Sequence, residues 1–400
     1  MKKKVILVLI DACRGDYISP EKTPFLFNLT KTNKYYKNLV PSFGFCERTE
    51  IIVGLDSLKS NCFTAFGFSQ ELSPYRSYKY LMHFLGWLEN LFNSSLFSKF
   101  IRRIIWEVFR NKKHAYYPAR IPLKYLSDFC LTEDSALNLI EESNMSLYKV
   151  ADGVYTEATT SMSSYLTGSD QSRLSDIVLA INRPYQFYPT YVAILDKIGH
   201  KYGPDSMEIK DALLKLDRQL EDFFIKTQKS EHDPIVVFCG DHGMSEITEF
   251  INIEEIVNTF NKDKSFKNNC KIFLDSTMAR FWFKTKNSSH IDALMKEIKS
   301  NYKDQGMFIK RSEYKNFGIP DIDMYGDLLW VCNEGVVISP DYFNSVDKKL
   351  SGMHGYLPSG PQNYGFAIIA GKNIEAHLEA NLEPLTKVYQ EIKKNILMNK

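Results

Sequence analysis

The sequence has no CxxC pair, no apolar run approaching the roughly 18 residues of a membrane span, no internal repeat and no low-complexity tract. Its seven cysteines are odd in number and scattered, which excludes a disulfide framework and a structural zinc knuckle. Cys13, Cys239 and Cys332 fall in or beside strand-like runs, where a thiol serves as a small hydrophobe. A reducing cytoplasm is therefore expected. Charge of one sign is also lacking. The 50 Lys and Arg nearly balance the 48 Asp and Glu, for a net charge of +2, so a nucleic acid is not an expected partner. The N-terminus, Met1-Lys-Lys-Lys followed by Val5 to Ile10, imitates a signal peptide. Its apolar run is short and passes straight into Asp11 with no small-residue cleavage site, so it reads as a first strand.

What is present is an ordinary soluble composition, 44% hydrophobic and 24% charged. Four hundred residues exceed one modest core, so one large α/β domain with insertions, or two domains, is expected. Three short apolar runs stand out: Lys4 to Ile10, Thr190 to Leu195 and Ile235 to Cys239. Each reads as a strand buried on both faces of a mainly parallel sheet, and each leads into an aspartate: Asp11 and Asp196 at once, Asp241 after Gly240. In open α/β sheets the functional crevice lies beyond the carboxyl ends of the strands. Phe366 to Ala370 reads as the last strand and Leu385 to Leu397 as a closing helix.

Two segments depart from that pattern. Residues 68–145 read as a helical insertion, with two amphipathic helices between Tyr78 and Phe109 and a basic run of Arg102, Arg103, Arg110, Lys112 and Lys113. Basic aromatic helices of this kind either pack on their own domain as a cap or lie on a membrane surface; the cap is the favoured expectation. Residues 276–340 read as a small α+β lobe within a core that spans 1–400.

Three histidines, His200, His242 and His354, lie in turn or loop contexts near the three aspartates or between glycines. Three carboxylates and three imidazoles suit two divalent ions of borderline softness, zinc above all. Two such ions can clamp the attacking and leaving oxygens of a phosphoryl transfer.

The runs Val5–Asp11, Asp196-x-x-Gly-His200-x-x-Gly-Pro204, Gly240-Asp-His-Gly243, Ser276-Thr-Met-Ala-Arg-Phe281 and Gly352-Met-His-Gly-Tyr356 resemble the alkaline phosphatase superfamily. The likeness is to its type I phosphodiesterase/nucleotide pyrophosphatase branch. The resemblance implies a large mainly parallel sheet between helical layers and two metal ions. It also implies Asp196, His200 and His354 on one ion and Asp11, Asp241 and His242 on the other. The implied activity is that of a phosphodiesterase or phosphotransferase acting on a small phosphate ester, a nucleotide or a sugar- or lipid-linked phosphate.

The sequence departs from that family at the nucleophile. Aligning Pro41 and Gly54 without gaps puts Gly44 where the relatives carry a Thr or Ser. Three readings stay open. Cys46 attacks from a helix that starts late; hydroxide on a metal or a substrate hydroxyl attacks directly; or Ser42 or Thr49 serves, or the site binds without turnover. Arg48 is the candidate partner of a phosphate oxygen, against the alternative of a surface Glu47–Arg48–Glu50 charge cluster. Asn61, Tyr202 and Tyr356 are the candidate substrate contacts, with the two tyrosines expected at the rim. A sulfatase or phosphonate hydrolase and a metal-stabilised binding protein are the rival functions. The first is disfavoured because Cys46-Glu-Arg48 lacks the Cys-x-Pro-x-Arg signature of cysteine modification.

Overall fold

The computed structural model describes residues 3–92, 94–112, 115–156, 169–262, 269–285, 288–344 and 350–398; Lys113 lies outside them. The apolar run Val5–Ile10 becomes a strand whose six residues are all buried. Because successive side chains of a strand point to opposite faces, it feeds two cores. Ile6, Val8 and Ile10 pack with the helices Pro24–Thr32, Asp170–Ala180 and Met207–Gln228 on one face. Val5, Leu7 and Leu9 pack with the helices Glu47–Val53 and Thr386–Leu397 on the other. That double burial is why the run is continuously apolar rather than alternating.

The six-stranded sheet is mixed, in the order His377–Pro384, Lys34–Val40, Gly365–Ala370, Ile235–Gly240, Val5–Ile10, Phe187–Val192. Val5–Ile10 runs parallel to both of its neighbours, and only Gly365–Ala370 pairs antiparallel. This is the expected α/β architecture of a mainly parallel sheet between helices. In register, Ile10 faces both Val192 and Gly240, so residues 11, 193 and 241 leave the sheet along one edge.

Three expectations need correction. The strand at 190 ends at Val192, and Ile194 already belongs to the helix Ile194–Tyr202. Asp196 therefore sits in a first helical turn, not at a strand end. An unbroken apolar run across a strand-to-helix switch conceals the boundary. Gly365–Ala370 is not the last strand, because the exposed edge strand His377–Pro384 follows it; Leu378 and Leu382 point to solvent, leaving no buried face to reveal it. The predicted strand list also omitted Lys34–Val40, whose Lys, Tyr and Asn content hides its half-buried pattern.

The chain divides into two compact units. The first, Met1–Ser60, Ala136–Ile247 and Leu350–Lys400, holds the six-stranded sheet. The second gathers Asn61–Ser135 with Thr248–Lys349, so most of the segment read as a cap and the segment read as a lobe belong to one unit. Its antiparallel sheet runs Gly306–Lys310, Leu328–Cys332, Met278–Phe283, Cys270–Leu274. The fully buried Arg280 pairs with Asp275 at 2.7 Å within it.

In the first unit an ion pair joins the strand Lys34–Val40 to the last helix. Burial works against the charged form of Glu391, but hydrogen bonds from Lys34 Nζ and the Tyr36 hydroxyl, both 2.7 Å, outweigh it and hold the carboxyl below its usual range. A depressed carboxylate stabilises the fold above its unfolded pKa of about 4.3 and loses that contribution as pH falls through the lower folded value. Glu391→Gln should therefore lower thermal stability at pH 7 by about 1 kcal/mol. The gap to the wild type should close in melting curves recorded progressively below pH 4; a constant gap would count against the pair.

Candidate active site

Asp11 follows its strand directly, with its amide still bonded to the Val192 carbonyl at 2.9 Å. Asp241 follows the neighbouring strand Ile235–Gly240. The strand can turn here because Gly240 has no side chain: a Cβ on it would lie 2.1 Å from the Cys13 carbonyl oxygen. The Ala12 amide donates to Asp241 Oδ1 at 3.2 Å and the His242 amide to the same oxygen at 2.9 Å. Asp196 and His200, four residues apart on one helix, share a face, with Asp196 Oδ1 3.1 Å from His200 Nε2. His354 comes from the loop after Gly352–Met353, its Nε2 3.5 Å from the same carboxylate oxygen.

Two three-residue clusters result. Asp196, His200 and His354 form one, and Asp11, Asp241 and His242 the other; within each, the candidate ligand atoms lie within 4.8 Å of one another. They adjoin, because the His242 and His354 rings stack at 4.2 Å between centroids and 19° between planes. All six sequence-predicted ligands are thus brought together in the first unit.

The chemistry of these donors fits a pair of divalent ions. His200 Nδ1 bonds to the Gly352 carbonyl at 2.9 Å and His242 Nδ1 to the Gly243 carbonyl at 2.8 Å. A carbonyl only accepts, so each Nδ1 carries a proton and each ring turns its Nε2 towards a carboxylate. For His242 that carboxylate is Asp11, at 3.2 Å. This outer bonding of Nδ1, which leaves Nε2 on the side of the carboxylates, is the pattern of metal-bound histidine. His354 Nδ1 is buried with no hydrogen-bond partner among the described residues.

The titrations carry the same strain. Burial pushes the Asp241 carboxyl up, opposed by His242 and reinforced by Asp11 and Glu47. Burial pulls His242 down, but Asp241, Asp11 and Glu47 together raise it. His354 is lowered by burial and by its two histidine neighbours.

The segment 41–54 turns at Gly44 before a short helix. Gly44 adopts φ +109°, and the helix Glu47–Val53 begins with Cys46 as its N-cap and ends on Gly54. Cys46 is buried. It is not a member of either ligand cluster. Arg48 lays its guanidinium 5.4 Å from the centroid of the Tyr191 ring, and the Tyr191 hydroxyl donates to Asp11 Oδ2. The surface-cluster reading of Glu47, Arg48 and Glu50 is corrected: Glu50 is 2% exposed and accepts from the Ser42 amide and hydroxyl at 2.9 and 3.0 Å. Ser42 is thereby engaged in holding the turn.

Sequence reasoning missed two residues. Glu47 was read only as surface charge, yet its carboxyl is raised chiefly by burial and lies within the fields of His242 and Asp11. Tyr191 was read only as part of a strand. The usable signal for Glu47 was its position one residue after the expected N-cap.

Of the substrate candidates, Tyr202 ends its helix 42% exposed, under the Lys201 ammonium at 4.5 Å from its ring centroid. Tyr356 is 3% exposed rather than on an open rim. Asn61 belongs to the second unit, where its carbonyl accepts from Tyr325 at 2.7 Å.

Residues 111–357 match the profile of the type I phosphodiesterase / nucleotide pyrophosphatase family. The chain belongs to this family. Among solved structures, murine ectonucleotide pyrophosphatase/phosphodiesterase 5 superposes with a TM-score of 0.67 at 15% identity, over 98% of this chain and 95% of that one. An inactive variant of the murine protein in complex with AMP matches equally well, over 99% of this chain. These likenesses establish a shared fold. Among curated proteins, alkaline phosphatase PafA of Elizabethkingia meningoseptica is 33% identical over 76 residues, 18% of this chain and 14% of that protein. Alkaline phosphatase PhoV of Synechococcus elongatus is 33% identical over 67 residues, 16% of this chain and 12% of its own length. The alignments thus span only a small part of those relatives.

The glycine turn is testable by itself. Gly44→Ala forces a side chain into positive φ, which costs about 1–3 kcal/mol, and urea denaturation should register a loss of that size. A loss within a few tenths of a kcal/mol would mean that the turn can be made another way.

Proposed function

We propose that this chain cleaves or transfers phosphate esters, of the phosphodiester type, at a two-zinc centre. The observation that carries the reading is the pair of adjoining ligand clusters on one sheet edge, bridged by the stacked His242 and His354, in a chain of this family. Mixed nitrogen and oxygen donors favour zinc over calcium or magnesium. Asp196, His200 and His354 are proposed to hold one ion, and Asp11, Asp241 and His242 the other. When bound, such ions supply Lewis-acid stabilisation of the charge that develops on the phosphate and leaving oxygens.

The protein's own groups do the rest. Tyr191, through its bond to Asp11 Oδ2, fixes that carboxylate's orientation. Gly352 and Gly243 hold the His200 and His242 tautomers. Cys46, as N-cap of Glu47–Val53, is the proposed nucleophile: its sulfur bonds to phosphorus as the bond to the leaving alcohol oxygen breaks and the thiol proton passes to that oxygen, and water or a second alcohol then takes the phosphoryl group from sulfur while its own proton returns to the thiolate. Arg48 is proposed to pair with a non-bridging oxygen through its planar fork. Tyr202 and Tyr356, neighbours of His200 and His354 in sequence, are the proposed contacts on the leaving-group side. AMP bound to the structurally similar murine variant supports a nucleotide as one substrate class, beside sugar- or lipid-linked phosphates. Seven free, buried thiols support a reducing, cytoplasmic location.

Glu47 favours a second reading. Its carboxyl adjoins Cys46 in sequence and shares the field of Asp11, Asp241 and His242, so it is suited to take a proton from a water or substrate hydroxyl that attacks directly. Cys46 is then a packing residue.

Purified protein should contain close to two equivalents of zinc by metal analysis, and His354→Ala about one. A folded protein without transition metal would sink the proposal. Turnover of an aryl phosphodiester should exceed that of a mono-ester and a sulfate ester and should vanish with chelator. Cys46→Ala should abolish it while Cys46→Ser keeps a weak remnant. Near-normal turnover in Cys46→Ala, with a loss of about 100-fold or more in Glu47→Gln, would instead select direct attack.

A further inference from the structure

The second unit carries two consecutive helices, Lys79–Phe92 and Ser95–Phe109, whose sequence led to the expectation of a packed cap. One face of each does pack. Met82 and Gly86 are buried, and a Cβ on Gly86 would come within 3.2 Å of the Lys124 amide. Arg102 donates to the carbonyls of Pro118 and Ile121 and pairs with Glu89 at 2.8 Å. Both helices thus rest their inner faces on the same segment, 118–124.

Their outer faces are apolar as well. On the first helix Tyr80, Phe84, Trp87 and Leu91 are 90, 54, 58 and 62% exposed, at spacings of four, three and four that keep them in one stripe. On the second, Leu96, Phe100, Ile104 and Val108 are 77, 63, 47 and 66% exposed at strict four-residue spacing. Such a concentration of large exposed apolar groups is uncommon on a soluble protein and marks a surface that something covers.

We infer that this helix pair docks on an anionic lipid surface. Three observations select that occupant. First, the charge around the stripes is predominantly positive. Lys79, Lys99, Arg103, Arg110 and Lys112 are exposed. The acidic Glu107 is shared between Arg103 and Arg110 at 2.7 and 3.1 Å, and Glu89 is spent on Arg102. Lys99 and Arg103 lie three residues after Leu96 and Phe100, which puts them beside the stripe, where they reach headgroups while the apolar groups enter the acyl boundary. Second, Trp87 and Tyr80 are the side chains that favour the boundary between water and hydrocarbon. Third, the helices have 14 and 15 residues, about 21–23 Å long, and no described helix is long and apolar enough to cross a bilayer. They suit lying in the interface plane, not spanning it. A second copy of this chain is the less suitable occupant, because a two-fold contact would set these cations against their own images.

The test is partition of the full-length protein between buffer and sedimented vesicles, so it reads binding and stands or falls apart from any turnover. Vesicles containing phosphatidylglycerol should bind the protein at 50 mM salt, pure phosphatidylcholine vesicles much less, and 500 mM salt should release it. The double variant Lys99→Gln/Arg103→Gln should weaken partition about 25-fold, from about fivefold per cation near a charged surface. Trp87→Ser/Phe100→Ser should abolish it, with the melting temperature unchanged because both side chains are exposed. Brominated lipid should quench part of the tryptophan emission in the wild type and not in the Trp87 variant. No binding to anionic vesicles at low salt overturns the inference. So does concentration-dependent self-association that Trp87→Ser/Phe100→Ser removes, which would assign the surface to a second copy.

Discussion

The register of three parallel strands is the constraint on which the rest of the first unit depends. Ile10 pairs with both Val192 and Gly240, so the chain leaves the sheet three times along one edge, and a shift of one residue in any strand would turn its following side chains to the other face. Asp11 and Asp241 are first off that edge, and the helix after Val192 brings Asp196 and His200 to it on one face. The strand interiors that set this register are wholly buried, which makes slippage costly. Rigidity there is what allows six charged or polar side chains to be held as two adjoining clusters, with the ligand atoms of each within 4.8 Å.

That arrangement is unfavourable on its own terms. Three carboxylates and three imidazoles sit under little solvent, with Asp241 raised chiefly by burial and His242 raised by its carboxylate neighbours against burial. Divalent ions held between these donors would offset that cost. The backbone suits that role: the Gly352 and Gly243 carbonyls keep the Nδ1 protons on His200 and His242. Glu47 adds a fourth carboxyl to the same field. A site built only to neutralise its ions needs no such group, which is why Glu47 carries interest beyond charge balance.

The late helix start at Cys46 and the exposed helix pair of the second unit are opposite departures from expected packing. At the first, a glycine in positive φ and the Glu50–Ser42 bonds determine where a short helix begins, and so which side chain caps it. At the second, apolar stripes that ordinarily seek a core remain in solvent. Each is retained at a cost in local stability, as functional positions commonly are.

Much of this was legible in the amino-acid order. Buried parallel strands announce themselves as short β-branched runs, and an aspartate at the end of such a run has few structural reasons to be there; Asp11, Asp241 and the Asp196–His200 spacing therefore identified the cluster before any coordinates. His354, between glycines in a loop, followed from chemistry of type rather than from local pattern. Tertiary structure alone decided the remainder. The boundary between Val192 and Ile194 lies inside one apolar run, so only the packing of its two halves separates strand from helix. The edge strand His377–Pro384 buries neither face and leaves no periodicity to read. Whether Glu47 faces solvent or the metal ligands depends on the helix start to within one residue, or 100° of rotation. Whether Tyr80, Phe84 and Phe100 meet a core or water depends on how many neighbours long-range folding brings to them. Periodicity reports which residues share a face; what that face meets is a property of the assembled chain.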